Sequence, residues 1–392
     1  MVQFHRLWRE LFIVVCMCFV APVSTSAQGG IDIGQRISHL LPSGWNVTAY
    51  DFSPNNESIV YSVAGAMGPG ELWRWSIPDK TPYLIASGIP TAANSKATPV
   101  FAYSLNGRSL VYSAVAPEGS SSIVTGLGVF SLDLGVVQGL ITPDFDYYTS
   151  IAEFEPSPDG LWVIYTADSE IDEQFELYRV SLVTGQVAKL NLPLKPGGDV
   201  LTFAISHDNE RLVYAADLAG DDVYQLYSVP LAGEASETKT LSNHEDGPRT
   251  VTSDFVITPA GNRVVFVSRL INNYDFTLFS VPIDGETLPV ELSASDQEYA
   301  GYFDVSPDGE TVVFVVNGGI YNGTDIYAVP TLGPANERIW LGQNAGFINY
   351  LDVVSNGHHV LWSMPSQQSG VSGLFAASID GGILIVRSTA GR

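Results

Sequence analysis

The sequence predicts an all-β fold, a seven-bladed β-propeller built from four-stranded antiparallel blades. Three observations lead there. A short turn motif recurs about every fifty residues, aromatic residues stand at two fixed places after each turn, and the apolar pattern has a period of two.

The turn motif occurs seven times: Ser53–Asn56, Ser104–Gly107, Ser157–Gly160, Ser206–Asn209, Thr258–Gly261, Ser306–Gly309 and Val354–Gly357. Pro presets φ at its second position, Asp or Asn caps the local backbone, and Gly or Asn at the end accepts positive φ. A strand with an aromatic at one place follows: Tyr61, Tyr112, Tyr165, Tyr214, Phe266, Phe314 and Trp362. A second strand carries another: Trp73, Phe130, Tyr178, Tyr227, Phe279, Tyr327 and Phe375. The two sets stand 12 or 13 residues apart, except in the second unit, where the gap is 18. A β-like run precedes each turn (Val47–Phe52, Val200–Ile205, Tyr299–Val305), and a fourth follows the second aromatic strand (Gln186–Leu190, Leu288–Leu292). Four strands per repeat of this length make a propeller blade, which buries its faces by stacking on its neighbours.

Residues 1–27 read as a secretory signal peptide. His5, Arg6 and Arg9 form the basic start, Leu11–Val20 the apolar centre, and Thr25-Ser26-Ala27 the cleavage site. The apolar run is too short to span a bilayer. Residues 28–44 form an N-terminal segment in which Gln35–Leu40 could act as a closing strand, and 45–392 form the propeller. The last unit also carries a fourth strand of its own, Ile383–Arg387. Both cysteines, Cys16 and Cys18, fall within the signal, so the exported chain is expected to hold together without disulfides. The expected location is the periplasm or the extracellular space, as a monomer with no membrane insertion after cleavage.

The 392 residues include 42 acidic and 18 basic ones, a net charge of −24, with 45% hydrophobic residues. That composition provides for a core and argues against nucleic acid, because few cations are present to neutralise phosphates.

Ser157–Val180, Val213–Pro230 and Ser306–Pro330 combine Ser-Pro-Asp-Gly, or its remnant, with an aromatic strand and a Leu-Tyr-x-Val-like strand. This unit resembles the repeat of TolB-like (PD40) propellers over nearly all of the exported chain. The resemblance implies a propeller exported to the cell envelope and does not specify an activity. The chain departs from TolB in having seven units rather than six, and only about twenty residues in place of a separate N-terminal domain. Similar propellers precede serine peptidase domains. The sequence ends inside its seventh unit, so no hydrolase domain is expected.

Catalytic motifs are sparse. Gly370-Val371-Ser372-Gly373 falls one residue short of a nucleophile elbow, and no Lys follows a Gly as a P-loop requires. Gly126-Leu127-Gly128 lacks the third glycine of a dinucleotide site, and His358-His359 reads as a surface pair at a turn. The exported chain keeps only His39, His207, His244, His358 and His359, on units that do not converge.

One concentration of chemistry stands out. The loop between the two aromatics of unit three carries Asp168, Glu170, Asp172, Glu173 and Glu176, and that of unit four carries Asp217, Asp221 and Asp222. The connections on the same face add Asp144, Asp146, Asp199, His244, Glu245 and Asp246. Asp168, Asp172, Asp221 and Asp222 are candidate ligands for Ca²⁺, which prefers oxygen-rich, adaptable sites, although no cofactor is required. Asp144, Asp146, Glu170, Glu173, Asp217, His244 and Asp246 are candidate partner contacts, since a negative rim steers a basic partner. A purely structural role, with acids capping turns and keeping the chain soluble, competes with both. Tyr147, Tyr148, Tyr224 and Tyr274 could stack on sugar or peptide, or pack on the next blade. The leading expectation is therefore a non-catalytic exported scaffold that binds protein or glycan through its acidic loops. The alternative is a metal-dependent propeller enzyme acting on polysaccharide, as a lyase or glycosidase.

Overall fold

The computed structural model describes residues 41–65, 70–89, 101–115, 124–142, 150–220, 222–244, 249–271, 276–293, 299–317, 324–344, 350–354, 357–365, 372–381 and 383–384. These form 28 strands in seven four-stranded antiparallel sheets, each built from four consecutive strands. Blade 1 comprises β1 (Asn46–Phe52), β2 (Ser58–Ala64), β3 (Gly70–Ser76) and β4 (Thr81–Ile89). Blade 2 comprises β5 (Phe101–Tyr103), β6 (Ser109–Val115), β7 (Val124–Ser131) and β8 (Val136–Leu140). Blade 3 comprises β9 (Ile151–Pro156), β10 (Trp162–Ala167), β11 (Glu176–Ser181) and β12 (Val187–Lys189). Blade 4 comprises β13 (Val200–Ile205), β14 (Arg211–Ala216), β15 (Gln225–Pro230) and β16 (Lys239–Thr240). Blade 5 comprises β17 (Arg249–Ile257), β18 (Arg263–Leu270), β19 (Phe276–Pro282) and β20 (Val290–Glu291). Blade 6 comprises β21 (Tyr299–Val305), β22 (Thr311–Asn317), β23 (Thr324–Pro330) and β24 (Ile339–Asn344). Blade 7 comprises β25 (Tyr350–Val353), β26 (His359–Pro365), β27 (Ser372–Ser378) and β28 (Ile383–Leu384).

The chain groups into two units that meet within β12, one ending at Ala188 and holding blades 1, 2 and nearly all of 3, the other starting at Lys189 and holding blades 4–7. Only two short 3₁₀ turns, Ala235–Glu237 and Ala335–Glu337, interrupt the β structure among the described residues. None of these residues forms a helix long and apolar enough to cross a membrane. The signal peptide, the candidate closing strand Gln35–Leu40 and His39 lie outside the described residues. The seventh sheet contains its own fourth strand, β28, paired with β27.

Six of the predicted turns are described in full, and in all seven the last residue takes φ between 56° and 77°. In six of them a Ser or Thr hydroxyl closes the turn. The Ser206 O–H donates to Asp208 Oδ1 at 2.6 Å, and its oxygen accepts from the Arg211 N–H at 2.9 Å. Ser157 and Ser306 repeat both bonds, and Ser53 and Ser104 do so with the amide oxygens of Asn55 and Asn106 as acceptors. Thr258 uses Asn262 in place of the acid. Val354 has no hydroxyl; in its turn the Val354 N–H donates to His359 O and the Gly357 N–H to Val354 O, both at 2.8 Å.

The aromatic strands explain the repeat. In six blades the two predicted aromatics face each other across the second and third strands, as in Tyr165↔Tyr178 and Phe266↔Phe279. Five of these pairs stack, with centroids 5.3–5.9 Å apart. Blade 2 corrects the expected pattern. Phe130 lies opposite Leu110, and Tyr112 faces Gly128. The Tyr112 ring covers the space a Cβ on residue 128 would take, so glycine replaces the second aromatic there.

A third member of each row went unread in the sequence. Tyr50, Phe101, Phe154, Phe203, Phe255, Phe303 and Leu351 sit on the first strand directly opposite the first predicted aromatic. Each stands eleven residues before its partner, a fixed spacing that would have revealed it.

These rows make the two faces of a blade different. Within each unit, the aromatic face of one blade packs on the aliphatic face of the blade before it. Phe154, Tyr165 and Tyr178 meet Val111, Leu127 and Val129, and Phe266 and Phe279 meet Val213, Ala215 and Leu226. The same arrangement joins blades 1 and 2, 5 and 6, and 6 and 7. Second strands are therefore buried on both faces and read as continuous apolar runs.

Candidate functional site

Antiparallel order places the loops between second and third strands at the end of each blade opposite the Ser/Thr turns. The acidic loops of blades 3 and 4 leave β10 and β14 in the same way. Each begins with Ala-Asp, and that aspartate is buried: Asp168 is 6% exposed and Asp217 1%.

In blade 3, Asp168 Oδ1 accepts from the Ser150 N–H at 2.5 Å, while Oδ2 accepts from Ser150 Oγ at 3.1 Å and from the Glu173 N–H at 3.3 Å. In blade 4, Asp217 Oδ1 accepts from the N–H groups of Ala219 (3.0 Å) and Gly220 (2.8 Å), and Oδ2 from that of Asp222 at 2.7 Å. Asp217 thus fixes its own loop through three backbone donors, whereas Asp168 holds its loop through the Glu173 N–H and ties it to Ser150, just before β9. The residue five places on, Glu173 or Asp222, takes φ of 61° or 60°, a left-handed conformation uncommon outside glycine. This shared frame, Asp at the loop start and a left-handed acid five residues later, was not recognised in the sequence, although the common spacing signals it.

The frame leaves other acids outward. Glu170, Asp172, Glu173 and Asp222 are exposed. Glu176 turns inward, where the Tyr178 O–H donates to its Oε2 at 3.0 Å and Ser169 Oγ donates to the same phenol at 2.9 Å. Burial, above all, pushes the Tyr178 hydroxyl well above its usual pKa, so it stays a neutral donor. Tyr224 is raised in the same direction, by burial first and then by Asp199, Asp217 and Asp222. It serves packing: its N–H donates to Thr250 Oγ1 at 3.0 Å, and its ring lies against the blade 5 core.

His244 also packs on blade 5, its ring 4.5 Å from Phe279, with a ring nitrogen 3.3 Å from Ser268 Oγ. The buried Arg249 guanidinium lies over the same Phe279 ring at 5.1 Å. His207, His358 and His359 belong to the opposite, turn-bearing end of their blades. Asp144, Asp146, Tyr147, Tyr148, Asp221, Glu245, Asp246 and Tyr274 lie outside the described residues. Among the described residues, no three His, Cys, Asp or Glu side chains come together so as to hold a metal ion.

No protein-family model matches the sequence, and no curated protein matches it either. Solved structures do. Over 85% of its length the chain is similar to Porphyromonas gingivalis dipeptidyl peptidase 4, with a TM-score of 0.63 and 11% identity. A prolyl endopeptidase matches 83% of it with a TM-score of 0.50 and 9% identity. The chain is a β-propeller. It spans 52% and 47% of those two proteins, so the likeness concerns the fold and not their peptidase activity. TolB from Acinetobacter baumannii matches 61% of the chain at 17% identity, with a TM-score of only 0.36.

Proposed function

We propose that this propeller is an exported, non-catalytic scaffold that binds a basic protein surface through its acidic loops. The observation that carries the reading is the common frame of the blade 3 and blade 4 loops. A buried aspartate fixes each backbone, so exposed carboxylates are presented without further ordering on binding. Such groups steer association and set specificity, and their effect weakens with salt.

The test is fluorescence anisotropy with a labelled Lys/Arg-rich peptide, its Gln-substituted counterpart and a neutral oligosaccharide. The basic peptide is expected to bind, to weaken at least tenfold between 20 and 200 mM salt on the order expected for screened charges, and to be lost on combining Glu170→Lys, Asp172→Lys and Glu173→Lys. Equal affinity for the parent and this variant refutes the reading, and binding of the oligosaccharide alone redirects it to glycans. Calcium is tested on the same protein by thermal shift. Asp168 and Asp217 already accept from loop donors, so millimolar Ca²⁺ is expected to move the midpoint by less than about 1 °C. Export is tested by N-terminal sequencing of the secreted chain, expected to begin at Gln28.

A further inference from the structure

The outer strand of blade 6 carries an aromatic residue beyond what the repeat requires. The row Phe303, Phe314, Tyr327 continues onto β24, where Trp340 lies directly opposite Tyr327. The rows of blades 1, 2, 4 and 5 end instead in Leu84, Leu140, Thr240 and Glu291. The next residue, Leu341, is buried in the cluster that joins blades 6 and 7, whereas Trp340 is 51% exposed. The largest side chain thus stands where a leucine or threonine suffices elsewhere, and half of it meets water.

Its ring is oriented by a neighbour. The Trp340 indole N–H donates to Asp325 Oδ1 of β23 at 2.9 Å. Arg338, two residues earlier in extended chain, lies on the same side, with its guanidinium over the Tyr327 ring at 4.4 Å. Asp325 and Tyr327 are likewise two apart on β23, so Asp325, Tyr327, Arg338 and Trp340 share one face of the sheet. The indole uses one acceptor position of a carboxylate that offers several, and a guanidinium offers five donors. An oriented apolar plate is flanked by an acceptor and a donor of opposite charge.

We propose that this edge of blade 6 is a binding site for a neutral pyranose, which stacks its C–H face on Trp340 while its hydroxyls donate to Asp325 and accept from Arg338. Charge decides the class of ligand. Asp325, in a chain of net charge −24, repels uronates and other anionic glycans. Arg338 repels the lysine or arginine that an indole beside a carboxylate would otherwise attract. A neutral ring with one apolar face and a rim that both donates and accepts meets all three groups. The bond to Asp325 restricts the indole before any ligand arrives, which lowers the cost of ordering it on binding. The site shares no residue with the acidic loops of blades 3 and 4 and does not depend on their role.

The test is titration calorimetry and saturation-transfer NMR on the full chain. The probes are neutral oligomers of glucose, mannose and galactose, an oligogalacturonate and a proline-rich peptide. At least one neutral oligomer is expected to bind through its ring C–H protons, with an affinity that changes less than about twofold between about 20 and 200 mM salt. Trp340→Ala should weaken it about tenfold or more, and Trp340→Phe, which keeps a ring, less. Asp325→Asn retains an acceptor and should lose less than Asp325→Ala. The chain combining Glu170→Lys, Asp172→Lys and Glu173→Lys should bind the sugar as the parent does, which separates this site from the acidic loops. Because Trp340 is half exposed, Trp340→Ala is expected to move the thermal midpoint by less than about 2 °C, so lost binding is distinguished from lost fold. Absence of binding by every neutral oligomer, equal affinity of the Trp340→Ala and parent chains, or preference for the oligogalacturonate overturns the proposal. Binding of the proline-rich peptide alone overturns it as well and assigns the plate to a peptide.

Discussion

Replacing Ser206 by Ala isolates the hydroxyl bond that closes the first turn in six of the seven blades. The Ser206 hydroxyl is fully buried, donates to Asp208 Oδ1 at 2.6 Å and accepts from the Arg211 N–H at 2.9 Å. Alanine leaves the Arg211 N–H without this acceptor, at about 1–3 kcal/mol, while Asp208 keeps the Glu210 N–H at 3.0 Å. The expected loss is about 2 kcal/mol, roughly thirtyfold in the folding constant. Ser206→Thr should lose less than about 1 kcal/mol, because Thr258 fills the same place in blade 5 and its Oγ1 accepts from the Arg263 N–H at 3.2 Å. Val354→Ser, in the turn that lacks the hydroxyl, should gain up to about 1 kcal/mol. Urea denaturation followed by fluorescence reads all three, provided the slope against denaturant is unchanged. An alanine variant within about 0.5 kcal/mol of the parent, or a threonine variant as damaged as alanine, would show that packing and not the hydroxyl closes the turn.

Asp217→Ala strips three N–H groups of their acceptor and should destabilise by about 2–4 kcal/mol, whereas Asp222→Gly should relieve the left-handed strain and gain up to about 1 kcal/mol; denaturation midpoints distinguish them. Gly128→Ala drives a methyl into the Tyr112 ring and should cost about 1–3 kcal/mol, and adding Tyr112→Ala should remove most of that coupling in a double-mutant cycle. The Ser306 hydroxyl first, then the Glu310 N–H, hold the Asp308 carboxyl below its ordinary pKa of 3.8. Because the folded-state value is depressed, its contribution is complete above the unfolded value and lost as pH falls through the folded one. Asp308→Asn should therefore flatten the stability profile below about pH 4, and a carboxyl carbon titration that places Asp308 at or above the ordinary value would contradict this.

Turns and central strands were legible because each is specified locally. Ser-Pro-Asp-Gly fixes φ within four residues, and a strand covered on both faces must be apolar along its length. Blade 2 was misread because its pairing register puts Gly128, sixteen residues after Tyr112, opposite that ring and leaves Phe130 opposite Leu110. Register is set by pairing across strands, and a count along the chain does not contain it. The acidic loops were found by composition, but composition could not separate Asp168 and Asp217, which accept from the backbone, from Glu170 and Asp172, which face water. That division depends on which carboxylate the chain folds over.

The difference between an aromatic front and an aliphatic back gives each blade a direction. A whole repeat can be duplicated or deleted without inventing a new surface, since every copy brings one plug and one socket. Half a repeat would set like against like. Growth of such an array is therefore quantised in full units, and rearrangements between homologous turns should be tolerated where breaks inside a sheet are not.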